Sequence, residues 1–412
     1  VAVPVVNAFI NFSTGPSFAQ AMILDQGILG TNVLADAASV IVDVSDQIDY
    51  ITTNRGRQAE ADQFQTGTLS LRIVDQSGSF NPQNPGGPYF GLLSPMRKVQ
   101  ITATYGAVTY PIFSGFITSY STTTPQNAND VVYTTINAVD AFRLAQNAQI
   151  ATVAGTSAGQ LSGARINNLL DAISWPASMR DIDSGLTTMQ ADPGTARTAL
   201  AAMQTVETSE YGALYVDASG SFVFQDRALT ASSVAGTATM FNDNGSNISY
   251  NNAVWILNDV LVYNQANVTR SGGAVQTATN QASIDKYFLH SYNQQNLLMQ
   301  TDAVALQYAQ AYVASRAETS VRCDAITLDL YTDNYNTGII AGLSLDFFDP
   351  VTITTNQPGA STLTKTLQIF GVSMSISPNQ WKVTFTTLEP IIDGLILDNA
   401  IYGLLDTGVL SY

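Results

Sequence analysis

One histidine, His290, and one cysteine, Cys323, limit the chemistry open to this 412-residue chain. A Ser-His-Asp triad would have to use His290, and a zinc site of two histidines or several cysteines cannot form. His290 lies in DKYFLHSYNQQN, a polar and aromatic stretch with no nucleophile-elbow pattern nearby, and reads as a surface or packed imidazole. Cys323 opens the alternating run VRCDAITLDL, where a buried thiol acts as a small hydrophobe. Glycosidases need only two carboxylates a few ångströms apart, but the 32 acids form no pair with a distinguishing pattern. FNDNGSN (241–247) and DNYNTG (333–338) lack the alternating ligands and distal Glu of a calcium loop, and read as Asn-rich turns. Phosphate-binding and dinucleotide fingerprints are absent. The RGR of Arg55 and Arg57 is too short for a nucleic-acid patch. It predicts local salt bridges to Glu60 and Asp62, or an interface fork. The reading is therefore no catalytic residue, no metal ligand and no cofactor.

Composition points the same way. Charged residues are 12% of the chain, about half the usual share, so Thr, Ser, Asn and Gln must supply the polar surface. That suits β-sheet and broad contact with partner chains. A net charge of −16 removes the counterion-release affinity on which nucleic-acid binding rests. No apolar run reaches membrane-spanning length, and the start, VAVPVVNAFINF, lacks a basic leader.

The elements that would hold any site are mostly strands. VIVDVSDQIDYI, TGTLSLRIVD, VQITATYGAVTYPIFSGFITSY and DVVYTTINAVD are Val-, Ile-, Thr- and Tyr-rich runs bounded by Gly, Asn and Pro. YGAVTYPIF predicts a hairpin around Gly106. The spacing of Ile166, Leu169, Leu170 and Ile173 predicts a helix with Ser162 as N-cap and Pro176 ending the run. A second helix carries Leu200, Met203 and Val206 and closes at Gly212. A hairpin turning at Ser219-Gly220 follows, and a third helix starts near Asp302. The stretch GSFNPQNPGGPYFG (78–91) combines four glycines and three prolines with Phe80, Tyr89 and Phe90. Neither helix nor strand survives there, yet a solvated linker would not need the aromatics. These side chains are candidates for a subunit interface or for clamping the loop on its own domain.

Two halves of the chain echo each other. Val99, Ile101 and Thr102 align with Val351, Ile353 and Thr354; Ile112-Phe113 and Gly115 with Ile369-Phe370-Gly371; Tyr133–Ile136 with Phe385–Leu388. The fold class expected is α+β, mainly β. It consists of two related β-barrel domains with an inserted small α+β domain and a further helix-containing segment. The divisions are 1–39, an irregular segment with one strand; 40–148, the first barrel; 149–229, the α+β domain; 230–280 with 321–392, the second barrel; 281–320, helical; and 393–412, a C-terminal tail whose Ile, Leu and Tyr could dock on a neighbour.

Residues 41–143 carry, in order, a strand ending DVS, RGR followed by an acid and Phe64, GTLSL, the turn D-x-x-G-x-F-N-P-x-N, and P-x-R-x-V ahead of F-S-G. In this order they closely resemble minor tail proteins of siphophages, above all those infecting actinobacteria. LAAMQTVETSEYGALYVDASGSFVFQDR resembles the second domain of the same proteins, and the likeness extends over most of residues 36–390. The family is similar to the baseplate hub, or tail-associated protein, of long-tailed phages. That resemblance implies a homotrimer at the virion tail tip, adapting a six-fold tube to a three-fold tip and helping to close the tube. Its implied partners are the distal tail protein, the tape-measure protein and other minor tail proteins. Genome DNA would pass through without sequence-specific binding, and no membrane would be entered. Family members often carry a lysin or receptor-binding extension; the short tail here favours a structural, non-enzymatic hub. The alternatives are a distal tail ring, a carbohydrate-binding tail component or, further off, a tail lysin.

Overall fold

The computed structural model describes residues 3–18, 41–57, 63–123, 130–232, 236–331, 336–357, 359 and 361–389. Most of the expected N-terminal irregular segment, the expected C-terminal tail, and Glu60 and Asp62 lie outside the described residues. The chain is mainly β with helices set between groups of strands.

The first group is β1 (Val5–Asn11), β2 (Ile41–Asp43), β3 (Ile48–Gly56), β4 (Gln65–Val74), β5 (Lys98–Tyr105), β6 (Val108–Thr123) and β7 (Tyr133–Val139). Alternation drives their formation: in β4 the side chains of Leu69, Leu71 and Ile73 are buried while Thr68, Arg72 and Val74 face out. The β5–β6 hairpin turns at Gly106 and Ala107, both at positive φ, as a two-residue turn matched to strand twist requires. Next come α1 (Phe142–Asn147), β8 (Gln149–Ile150), α2 (Ser162–Ala172), β9 (Arg180–Ile182), β10 (Arg197–Thr198), α3 (Ala199–Glu210), β11 (Ala213–Val216), β12 (Phe222–Gln225) and α4 (Arg227–Ser232).

Two details of this unit differ from the sequence reading. Ser162 is the first residue of α2, not its cap: its Oγ donates to the buried Glu210 carboxylate at 2.8 Å. Helix α2 ends at Ala172, ahead of Pro176, and Ser174 at positive φ turns the chain. Glu210 also accepts the backbone N–H of Thr187 at 2.7 Å and pairs with Arg227, so one buried acid ties α3 to the loop after β9.

The second group is β13 (Thr239–Asn242), β14 (Ile248–Ser249) and β15 (Asn252–Ile256). The chain then leaves to build β16 (Gln265–Arg270), β17 (Gln276–Thr279), α5 (Gln281–Tyr287), β18 (Ser291–Leu297) and α6 (Asp302–Arg316). It returns with β19 (Arg322–Asp329), α7 (Thr337–Ser344), β20 (Pro350–Thr355), β21 (Leu363–Ser377) and β22 (Gln380–Leu388). Here the domain division needs correction. Residues 265–279 do not join the second group: β17, β16 and β18 form their own three-stranded sheet. Its separate core holds Tyr292, Tyr308 and Tyr312 with Val268 and Val313. Tyr292 and Tyr312 stack with ring centroids 3.7 Å apart.

Strand order repeats. The first group runs β2-β1-β5-β6-β7-β4-β3 and the second β14-β13-β20-β21-β22-β19-β15, the same sequence of strands by chain order. Six of the seven strands match in direction as well; β1 alone differs, running antiparallel to β5 and β2, whereas its counterpart β13 runs parallel to β20 and β14. A backbone detail fixes the alignment. Met96 and Phe348, both at positive φ, donate their N–H to Ile117 O and Ile369 O. Ile117 and Ile369 in turn donate to Arg97 O and Asp349 O. The alignment of Val99 with Val351 and Ile101 with Ile353 thus stands. The sequence alignment of the next two strands was slipped: Ile117, not Ile112, answers Ile369, and Ile136, not Tyr133, answers Phe385. In strands of alternating Ile, Phe and Thr, several registers give similar apparent matches.

The two groups are joined edge to edge. Residues 371–376 of β21 pair antiparallel with residues 51–56 of β3, making one 14-stranded sheet.

Candidate functional site

Gly56, between the two arginines, stands where β3 meets β21. Its φ is +107°, and a Cβ would fall 2.3 Å from Phe370 O and 2.5 Å from Gly371 Cα, so the two strands can approach only at glycine. Arg55 and Arg57 then flank the contact. Arg55 is 6% exposed, pairs with Asp346 at 3.0 Å and lies over Phe347 at 5.0 Å. Arg57 lies over Phe370 at 4.3 Å and Phe64 at 5.7 Å. Phe64 is the hub of the cluster, with ring centroids 5.0 Å from Phe347, 5.2 Å from Tyr215 and 5.8 Å from Phe348. Three parts of the chain meet here: β3 and Phe64 from the first group, Phe347, Phe348 and Phe370 from the second, and Tyr215 of β11 from the α+β unit. Arg55 and Arg57 are thus built into a junction inside one chain, and the described ion pair of Arg55 is with Asp346. Beside it Asp140 is buried; burial pushes its carboxyl up to about 7, while the N–H groups of Gly67 (2.5 Å) and Phe142 (3.0 Å) and nearby Arg55 pull it back.

The proline–glycine loop is a ladder of turns. Backbone N–H groups of Gly78, Asn81, Asn84, Gly87 and Phe90 each donate to the carbonyl three residues back. Asp75, buried, accepts from Ser79 N (2.7 Å), Phe80 N (3.0 Å) and Thr134 Oγ1 (3.0 Å), pinning the loop to β7. Phe80 is fully buried, and Tyr89 packs on it at 4.9 Å and on Phe12 at 5.4 Å. Phe90, by contrast, is 52% exposed. The loop therefore clamps itself through Phe80 and Tyr89 and presents Phe90 outward. It occupies the β4–β5 connection, the place that α7 fills between β19 and β20, where Ile339 and Leu343 are buried. Both halves thus carry an insertion at the same connection, with different local structure.

The groups with chemical potential stay apart. His290 has its ring Nε2 3.1 Å from Tyr287 O, and its backbone N–H donates to Asn264 Oδ1. Cys323 is fully buried on β19, and burial pushes its thiol up to about 11. Iodoacetamide at pH 8 should therefore leave the folded chain unlabelled and modify one thiol per chain after denaturation. Rapid labelling of the native protein would contradict this placement.

Among the described residues, no three His, Cys, Asp or Glu side chains cluster to hold a metal. Asn242 and Asn244 of FNDNGSN bond to Ser246, and Asp243 instead latches Thr355 and Asn356. Part of DNYNTG lies outside the described residues. A shallow dish of about 330 Å³ on the large sheet is lined by Thr52, Asn54, Thr68, Ser70, Thr118 and Asn137 among others, none of them titratable. It offers hydrogen bonds but no acid or base. One cross-strand row there, Asp329–Lys382–Ser375–Thr52–Ser70–Asn137–Ser119, spans seven strands with hydroxyls and an amide beyond the opposed Asp329 and Lys382.

The junction was only partly visible in the sequence. Its signal is the run D-F-F-D at 346–349, directly before β20, where the first half has S-P-M-R at 94–97 before β5.

No protein-family model matches the chain, and no curated protein does at a significant level. Solved structures do match. The 43 kDa tail protein of prophage MuSo2 from Shewanella oneidensis shares 11% identity at a TM-score of 0.55, covering 93% of this chain and 98% of that one. The tail protein from Neisseria meningitidis MC58 shares 7% identity at a TM-score of 0.56, covering 94% and 97%. At such identities the likeness is one of fold. The chain has the fold of phage tail proteins over nearly its whole length.

Proposed function

We propose that the chain is a non-enzymatic structural subunit of a phage virion, a baseplate hub at the tail tip of siphophage type, acting as a homotrimer. The observation that carries this reading is the repeated seven-strand order joined at β3 and β21. One chain brings two quasi-equivalent units, so three chains offer six to a six-fold tube. Two barrels per chain, a distal tail ring above, and the tape-measure and other minor tail proteins as partners complete the reading. The likeness to tail proteins supports it at the level of fold.

Genome DNA must pass such a hub without sticking. Basic side chains on the inner wall would bind phosphates, whereas a neutral or acidic wall would not. The net charge of −16 and the hydroxyl-rich row across the sheet suit that passage. Native mass spectrometry of the purified full chain tests the stoichiometry. Three chain masses are expected. A stable monomer would overturn the reading, and a hexamer would point to a distal ring instead.

A further inference from the structure

The joint between the two groups uses one edge of each strand type, and the complementary edges are left over. In β21, residues 363–368 pair with β20 and residues 371–376 with β3 on one side, while β22 lies on the other. Its counterpart β6 pairs through residues 108–116 with β5 and through residues 116–123 with β7. Among the described residues no strand faces Ser119–Thr123 on the side where β21 receives β3. The counterpart of β3 is β15, and among the described residues it pairs with β19 alone. Among the described residues these two edges are open, and they match in kind the two that meet inside the chain.

Neither edge is protected. Natural edge strands carry Lys, Pro or inward charges that block pairing. Residues 118–123 read TSYSTT and residues 252–257 read NAVWIL, without a charge or a proline. Val254 is 39% exposed and Leu257 64% exposed, where the equivalent stretch of β3 is covered by β21.

We infer that residues 119–123 of β6 pair antiparallel with β15 of a second copy of this chain, repeating between chains the β21–β3 joint within them. The inference rests on the proposed homotrimer and names its contact. The register follows from the internal alignment. Ser375 pairs with Thr52 inside the chain. Thr123 is the counterpart of Ser375, since they face Tyr133 and Lys382 at equal distance from the aligned bulges. Val254 is the counterpart of Thr52, opposite Ala325 as Thr52 is opposite Ser70. Thr123 of one copy thus faces Val254 of the next. The contact is head-to-tail, so each copy uses a different edge on either side, and such contacts close only as a ring.

The test is the full chain carrying Thr123→Cys and Val254→Cys together. Directly opposed residues of an antiparallel pair have Cα atoms about 4.5–5.5 Å apart, within disulfide reach. Mild oxidation should convert most chains to covalent dimers and trimers on a non-reducing gel. Each single variant should stay monomeric there, and reductant should reverse the ladder. Hydrogen exchange at residues 119–123 and 253–257 should also be slower in the assembled form than after dilution to free chains. A trimer by native mass without the ladder, or with exchange unchanged at both edges, overturns this joint and leaves the hub reading standing. Absence of any trimer overturns both.

Discussion

Replacing Phe64 by Ala is expected to lower the stability of the isolated chain by about 3–5 kcal/mol, the usual cost of removing a large buried ring. Phe64 is 3% exposed and touches rings from two other parts of the chain, so no single neighbour can collapse into the space. Arg57 lies over the same ring and over Phe370. Its replacement by Lys keeps the charge but loses the planar stacking surface, and should cost about 0.5–2 kcal/mol. Urea unfolding followed by far-UV circular dichroism measures both. A loss below about 1 kcal/mol for Phe64→Ala would mean that the three parts are held together elsewhere.

Phe80→Ala should be comparably damaging, about 3–5 kcal/mol, because the ring is fully buried beneath the turn ladder. Phe90→Ala should leave the isolated chain within about 0.5 kcal/mol of wild type, since half of that side chain is already in water. If Phe90 has a role it is in assembly, read as incorporation into tails. The two neighbouring aromatics of one loop thus separate folding from contact. Equal thermal destabilisation by both variants would contradict the assignment of Phe80 and Tyr89 as the clamp and Phe90 as the outward residue.

Much of the sheet was legible because period-two alternation reports one buried face, as in GTLSLRIV and DAITLDL. The hairpin at Gly106 was legible from turn chemistry alone. Register was not: strands of alternating Ile, Phe and Thr look alike when shifted, and only the paired positive-φ residues Met96 and Phe348 fix it. Strands β16 and β17 were expected in the second barrel, and β18 lies inside the stretch read as helical, because short polar strands such as QANVTR carry no mark of which sheet they join. Phe80 had two open readings, clamp or interface, and its burial within the chain favours the clamp. The pairing of Arg55 with Asp346 was hidden by the 291 positions that separate them; the local acids expected to pair with the arginines, Glu60 and Asp62, lie outside the described residues.

In the proposed hub, two quasi-equivalent groups per chain make a six-unit ring from three copies. A density map of the assembled tail tip at side-chain resolution tests it most directly. It should show three copies around the axis, six repeats of the strand order seen here, and more acidic than basic side chains on the wall facing the axis. Six copies in the ring, or copies whose two sheet groups do not both take part in it, would contradict the account.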